Sequence, residues 1–79
     1  MSLYDRFQQL SYLCNLIRRK ATGTPDQLAK KLQISRGTVY KLIQELESFG
    51  AEIEYDRIRR TFAFVVEVDV VIEVNRNNP

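Results

Sequence analysis

Apolar residues recur at Leu3, Phe7, Leu10, Leu13, Cys14 and Ile17. The three-and-four spacing predicts an amphipathic helix over residues 3–20. Thr22-Gly23 is expected to end it, because glycine most easily takes the left-handed conformation after a helix. Thr24-Pro25-Asp26-Gln27 then has the composition of a helix start: an N-cap threonine, proline at the first helical position, an acid in the first turn and glutamine at the capping-box position. This second helix is expected to run to about Leu32. Gln33 and Ile34 separate it from Ser35, another N-cap residue, after which Val39, Leu42, Ile43 and Leu46 form an apolar stripe up to Phe49. Gly50 is expected to stop the third helix.

Beyond Gly50 the period falls to two. Ile53 and Tyr55 alternate with Glu52, Glu54 and Asp56, and Phe62, Phe64, Val66, Val68, Val70, Ile72 and Val74 follow at every second position. Pairing Tyr55 with Phe62 and Ile53 with Phe64 puts four apolar side chains on one face and leaves residues 57–60 as a four-residue loop. A strand over residues 61–74 would be roughly 45 Å long at ~3.3 Å per residue, against about 30 Å for a compact domain of this size. It must bend near Glu67 and Asp69 or pair with another chain. Pairing is the preferred reading, giving a homodimer through residues 65–74. Residues 75–79 lack an apolar pattern and are expected to be a frayed tail. The expected architecture is α+β: one domain over residues 1–74, with a helix-turn-helix at 25–49, a hairpin wing at 52–64 and an extra strand at 65–74.

Composition narrows the function more than the fold. The 79 residues are 44% hydrophobic and 28% charged, ordinary for a folded domain. The single cysteine, Cys14, cannot make an internal disulfide, and on the apolar side of the first helix it is expected to be a small buried hydrophobe. Tyr4, Tyr12 and Tyr55 are expected at the edge of the core. No histidine is present and the longest apolar run, Phe62 to Val66, is five residues. The expectations are therefore no metal, no cofactor, no membrane span and a cytoplasmic location. The acids fall on alternating strand positions and on the back of the third helix, so no carboxylate pair is available for acid-base chemistry and no enzyme is expected.

The net charge of +2 hides two basic islands. Arg18, Arg19, Lys20, Lys30, Lys31, Arg36 and Lys41 stand against Asp26 alone, and Arg57, Arg59 and Arg60 fall within four residues. Between the islands lie Glu45, Glu47, Glu52, Glu54 and Asp56. If the fold joins the islands they form a face suited to a phosphate backbone; otherwise they are solvated surface charge, and Arg18-Arg19-Lys20 compensates the dipole of the first helix.

The third helix divides by face. Leu28, Ala29, Leu32, Ile34, Val39 and Leu42 fill the space between helices, whereas Arg36, Gly37, Tyr40, Lys41 and Gln44 project together on the other side. Arginine can pair bidentately with guanine and glutamine with adenine, while lysine and tyrosine suit phosphates. The free backbone donors at the helix start, beside Ser35 and Thr38, also favour an anion.

Leu28-Ala29-Lys30-Lys31-Leu32, Gln33-Ile34 and Ser35-Arg36-Gly37-Thr38-Val39 resemble the L-A-x-x-L, turn, S-R-x-T-V pattern of the small winged helix-turn-helix domains of bacterial biotin repressors and related regulators. That family is helix-turn-helix type 11, and the resemblance covers about residues 5–64. It implies that Ser35, Arg36, Thr38, Tyr40 and Lys41 lie on the recognition helix and that Arg57, Arg59 and Arg60 sit on the wing beside the flanking minor groove or backbone. The chain departs from the pattern at Gln33, where glycine is usual and a positive φ is expected, and at Gly37, where a larger and often basic residue is usual. The wing also lacks the family's glycines.

The resulting expectation is sequence-specific binding of double-stranded DNA by a small bacterial transcriptional regulator, with no small-molecule effector evident. A winged-helix module for protein association or dimerisation, without DNA binding, is the alternative.

Overall fold

Three helices precede a two-stranded antiparallel hairpin: α1 (Leu3–Arg18), α2 (Pro25–Leu32), α3 (Arg36–Ser48), β1 (Glu52–Asp56) and β2 (Thr61–Val66). The structure is a computed structural model and describes residues 2–68. This is the α+β layout expected from the change of period at Gly50.

Each helix starts on a hydroxyl. The Ser2, Thr24 and Ser35 side chains accept from the N–H of Asp5, Gln27 and Thr38, at 3.1, 3.2 and 3.1 Å. At α2 the bond is reciprocated, since the Thr24 N–H donates to Gln27 Oε1 at 2.9 Å and completes the capping box. Gly23 serves this cap. Its φ is +75° and a Cβ there would lie 2.4 Å from Gln27 Oε1.

The helix ends are less conventional. α1 closes at Lys20, with φ 54°, rather than at Thr22-Gly23 as expected. The N–H of Lys20 donates to Ile17 and that of Ala21 to Leu16, the paired bonds of a Schellman motif. Gln33 ends α2 in the same way, at φ 57° and ψ 46°, with Ile34 N–H donating to Ala29 at 3.0 Å. The positive φ expected of Gln33 is therefore present. A non-glycine residue there costs about 1–3 kcal/mol, partly offset because glycine gains more freedom on unfolding. Gln33→Gly is expected to stabilise the fold by about 0.5–1 kcal/mol, a rise of roughly 3–6 °C in the thermal unfolding midpoint. A lowered midpoint would remove strain as the explanation.

The core joins Leu10, Leu13, Cys14, Leu16 and Ile17 of α1 to Leu28, Ala29, Val39, Leu42, Ile43, Leu46, Ala51 and Phe62. Leu16 lies off the expected stripe and is buried because α1 packs against both α3 and β2. The stripe overreaches at the other end, where Leu3 is exposed. Tyr4 and Tyr12, expected at the core edge, are also exposed, whereas Tyr55 is half-buried. Ala29 lets α2 and α3 pack closely, as its size suggested.

The hairpin has the expected register, Tyr55 opposite Phe62 and Ile53 opposite Phe64. At its open end Glu52 pairs with Val66, so Val65 is an extra residue on β2 and the alternation breaks there. Val66, expected inward with Phe62 and Phe64, is exposed, and so is Val65. β2 stops at Val66, and the next two residues turn to α1: Glu67 pairs with Arg18, and the Cys14 thiol donates to the Val68 carbonyl at 3.0 Å. The rest of the expected strand, residues 69–74, and the expected tail lie outside the described residues.

A buried polar contact ties the hairpin to the helices. Thr22, in the α1–α2 loop, and Thr61, the first residue of β2, are 0% and 1% exposed. The Phe62 N–H donates to Thr22 Oγ1 at 2.8 Å and the Thr22 N–H to Thr61 Oγ1 at 3.2 Å. The two hydroxyl oxygens are 3.0 Å apart, and the Thr22 hydroxyl donates to the Gly23 carbonyl. Thr22 thus covers the outer edge of β2 where a third strand would otherwise pair.

Candidate nucleic-acid interface

On α3 the buried residues Val39, Leu42, Ile43 and Leu46 leave Arg36, Gly37, Tyr40, Lys41 and Gln44 exposed on the opposite face. This is the division expected from periodicity. The Ser35 and Thr38 hydroxyls are 2.8 Å apart and Ser35 caps the Thr38 N–H, so both are engaged in starting the helix. Thr38 is half-buried. The N–H groups of Arg36 and Gly37, in the first turn, have no intrahelical acceptor and remain available to an anion. Gly37 is open: a Cβ there would meet only Ser35 Oγ, at 3.9 Å.

Tyr40 connects this face to the wing. Its ring meets Phe62 edge-on at 6.4 Å between centroids, and Phe62 in turn packs edge-on with Tyr55 at 5.1 Å. Tyr55 and Phe62 face each other two residues below the 57–60 loop, about 7 Å along the strands. The exposed face of α3 therefore adjoins the base of an arginine-rich loop.

Asp56 braces the first half of that loop. Asp56 Oδ1 accepts from the N–H of both Ile58 and Arg59 at 3.0 Å, and the Arg59 guanidinium lies 3.9 Å from Asp56 Oδ2. Arg60 takes φ 56°, a conformation that glycine adopts most readily. Arg57, Arg59 and Arg60 are exposed, and Ile58 between them is 94% exposed.

The first basic island does not act as a unit. Arg18 pairs with Glu67, Arg19 donates to Asn15 Oδ1 and Lys31 donates to the Ala21 carbonyl at 2.6 Å. Arg36, Lys41 and the wing arginines supply the basic face. Arg36 Nη1 lies 3.6 Å from Asp26 Oδ1 in the first turn of α2. Hydrogen bonding to Tyr40, and then the charge of Asp26, push the Arg36 pKa up, so its charge is fixed.

Sequence reasoning did not assign a role to Asp26 at this face, nor to Phe62 as the link between α3 and the wing. The stretch Thr24-Pro25-Asp26 presented Asp26 only as a first-turn acid, and its approach to Arg36 depends on the α2–α3 crossing. Among the described residues no group of His, Cys, Asp and Glu could hold a metal ion, and no helix is long and apolar enough to cross a membrane.

A short turn between α2 and α3, a polar outer face on α3 and a hairpin beside it define a winged helix-turn-helix domain, a class best known for binding DNA. A family model described as an HTH domain matches residues 9–59, more than half of the chain, and the chain belongs to that helix-turn-helix family. Comparison with curated proteins and with solved structures yields no match.

Proposed function

We propose that the chain is a sequence-specific binder of double-stranded DNA acting in bacterial transcription regulation, with no reaction of its own. α3 enters the major groove and the wing arginines hold the flanking backbone or minor groove. The supporting observation is that Arg36, Lys41 and Gln44 lie exposed on one side of α3, which Tyr40 and Phe62 join to a loop carrying three exposed arginines. Arg36 and Gln44 are the base-reading side chains; Lys41, Arg57, Arg59 and Arg60 are phosphate contacts. Gly37 gives the groove close access to the backbone of α3. Two copies act together through residues 65–74, a reading supported by the exposure of Val65 and Val66.

Selection from a pool of random duplexes tests the whole reading. It is expected to return a two-fold-symmetric motif with half-sites about one helical turn apart. Lys41→Ala should weaken binding to all sequences alike, whereas Arg36→Ala should remove the preference for one base, worth about 1–3 kcal/mol. A pool that emerges unenriched would refute sequence-specific recognition.

A further inference from the structure

The Asp26 carboxylate sits on the face proposed to meet DNA, 3.6 Å from the Arg36 guanidinium, and is itself largely exposed. An acid there opposes contact with a polyanion. In the first turn of α2 it favours the helix dipole, but the cap itself is closed by the Thr24 hydroxyl and the Gln27 side chain, which leaves the carboxylate free to reach Arg36. The one salt-bridge partner of Asp26 among the described residues is Arg36.

We infer that Asp26 is a specificity-determining residue, which disfavours phosphate beside Arg36 and positions the guanidinium for the edge of a guanine. The inference rests on the DNA-binding reading and extends it. A guanidinium has five donors in a planar fork. Asp26 attracts Nη1 from one side, and Tyr40, in edge contact with Phe62, stands one helical turn from Arg36 on the same face of α3. A fork drawn toward Asp26 on one side keeps its other edge free for guanine O6 and N7 and loses less rotamer freedom on binding. A phosphate approaching the same arginine meets the Asp26 charge within a Debye length, whereas the uncharged base edge does not incur that repulsion. Asp26 therefore weakens non-specific binding more than specific binding.

The test is Asp26→Asn in the full chain, with Asp26→Glu and Arg36→Ala alongside. Each is titrated against a random-sequence duplex and carried through selection from a random duplex pool. Asp26→Asn is expected to bind the random duplex roughly three- to tenfold more tightly at 50 mM salt, with a salt slope steeper by about one as Arg36 moves to a phosphate. It should also lose guanine enrichment at the motif position that Arg36→Ala abolishes, and Asp26→Glu, which restores the charge, should recover part of it. Unchanged random-duplex affinity, or undiminished guanine enrichment, would overturn the inference while leaving DNA binding intact. Failure of the unsubstituted chain to bind any duplex would overturn the DNA-binding reading and this inference together.

Discussion

Thr22→Val is expected to lower the unfolding free energy by about 3 kcal/mol, the largest loss of stability from any nearly isosteric change in the described residues. Valine fills the same space, so no cavity opens. What is lost is bonding: the Phe62 N–H loses its 2.8 Å acceptor, the Gly23 carbonyl its donor and the Thr61 hydroxyl its neighbour. Each buried polar group left unpaired costs about 1–3 kcal/mol, because water cannot replace the partner. In a domain of this size the thermal midpoint should fall by roughly 12–24 °C. Thr22→Val combined with Thr61→Val should cost less than the sum of the two single changes, since the contact between the two hydroxyls is lost in each single variant but only once in the double. Thermal unfolding of the three variants measures this; a loss below about 0.5 kcal/mol for Thr22→Val would mean that the threonine pair does not anchor the wing.

Removing the wing charges is expected to have the largest effect on binding. Arg57→Ala, Arg59→Ala and Arg60→Gly in one chain should weaken binding to any duplex on the order of a hundredfold at 50 mM salt and flatten the log–log salt slope by roughly 2–3. Glycine at position 60 keeps the φ of 56° without strain, and all three side chains are exposed, so the fold should survive. Arg59→Ala alone should have the mildest effect, because that guanidinium already lies near Asp56. Fluorescence anisotropy with a labelled duplex reads both quantities. An affinity within twofold of the parent, with the slope unchanged, would remove the wing from the interface.

Much of this architecture is legible in the sequence where the signals are local. The capping box at Thr24 and Gln27, the apolar stripe of α3 and the hairpin register all follow from residues close together in the chain, and each is found. The positive φ of Gln33 was also foreseeable, because the family pattern places a glycine there. Lys20 and Arg60 take the same conformation without any such signal. The rest depends on tertiary contacts. Leu16 is buried because α1 packs against both α3 and β2, which cover more of the helix than a single stripe. Thr22 reads locally as the end of a helix, and its partner lies 39 residues away. The bulge at Val65 breaks an alternation that looks continuous through Val74.

At the candidate interface, the exposed set on α3 and the arginines of the wing tip were visible from periodicity and from the resemblance. How they are joined was not. The contact of Tyr40 with Phe62 and the approach of Asp26 to Arg36 depend on the angles at which α2, α3 and the hairpin meet. Lys31 and Arg18 show the converse, since both belong to a basic island in sequence and are committed to contacts within the fold.

The central claim is that the joined basic surface of α3 and the wing binds duplex DNA. Titration of a labelled random-sequence duplex with the unsubstituted chain, at salt concentrations from about 50 to 200 mM, tests it most directly. Four phosphate-contacting side chains, Lys41, Arg57, Arg59 and Arg60, predict a log–log slope of about −4 per bound chain. No binding at the lowest salt, or binding that does not change with salt, would contradict it.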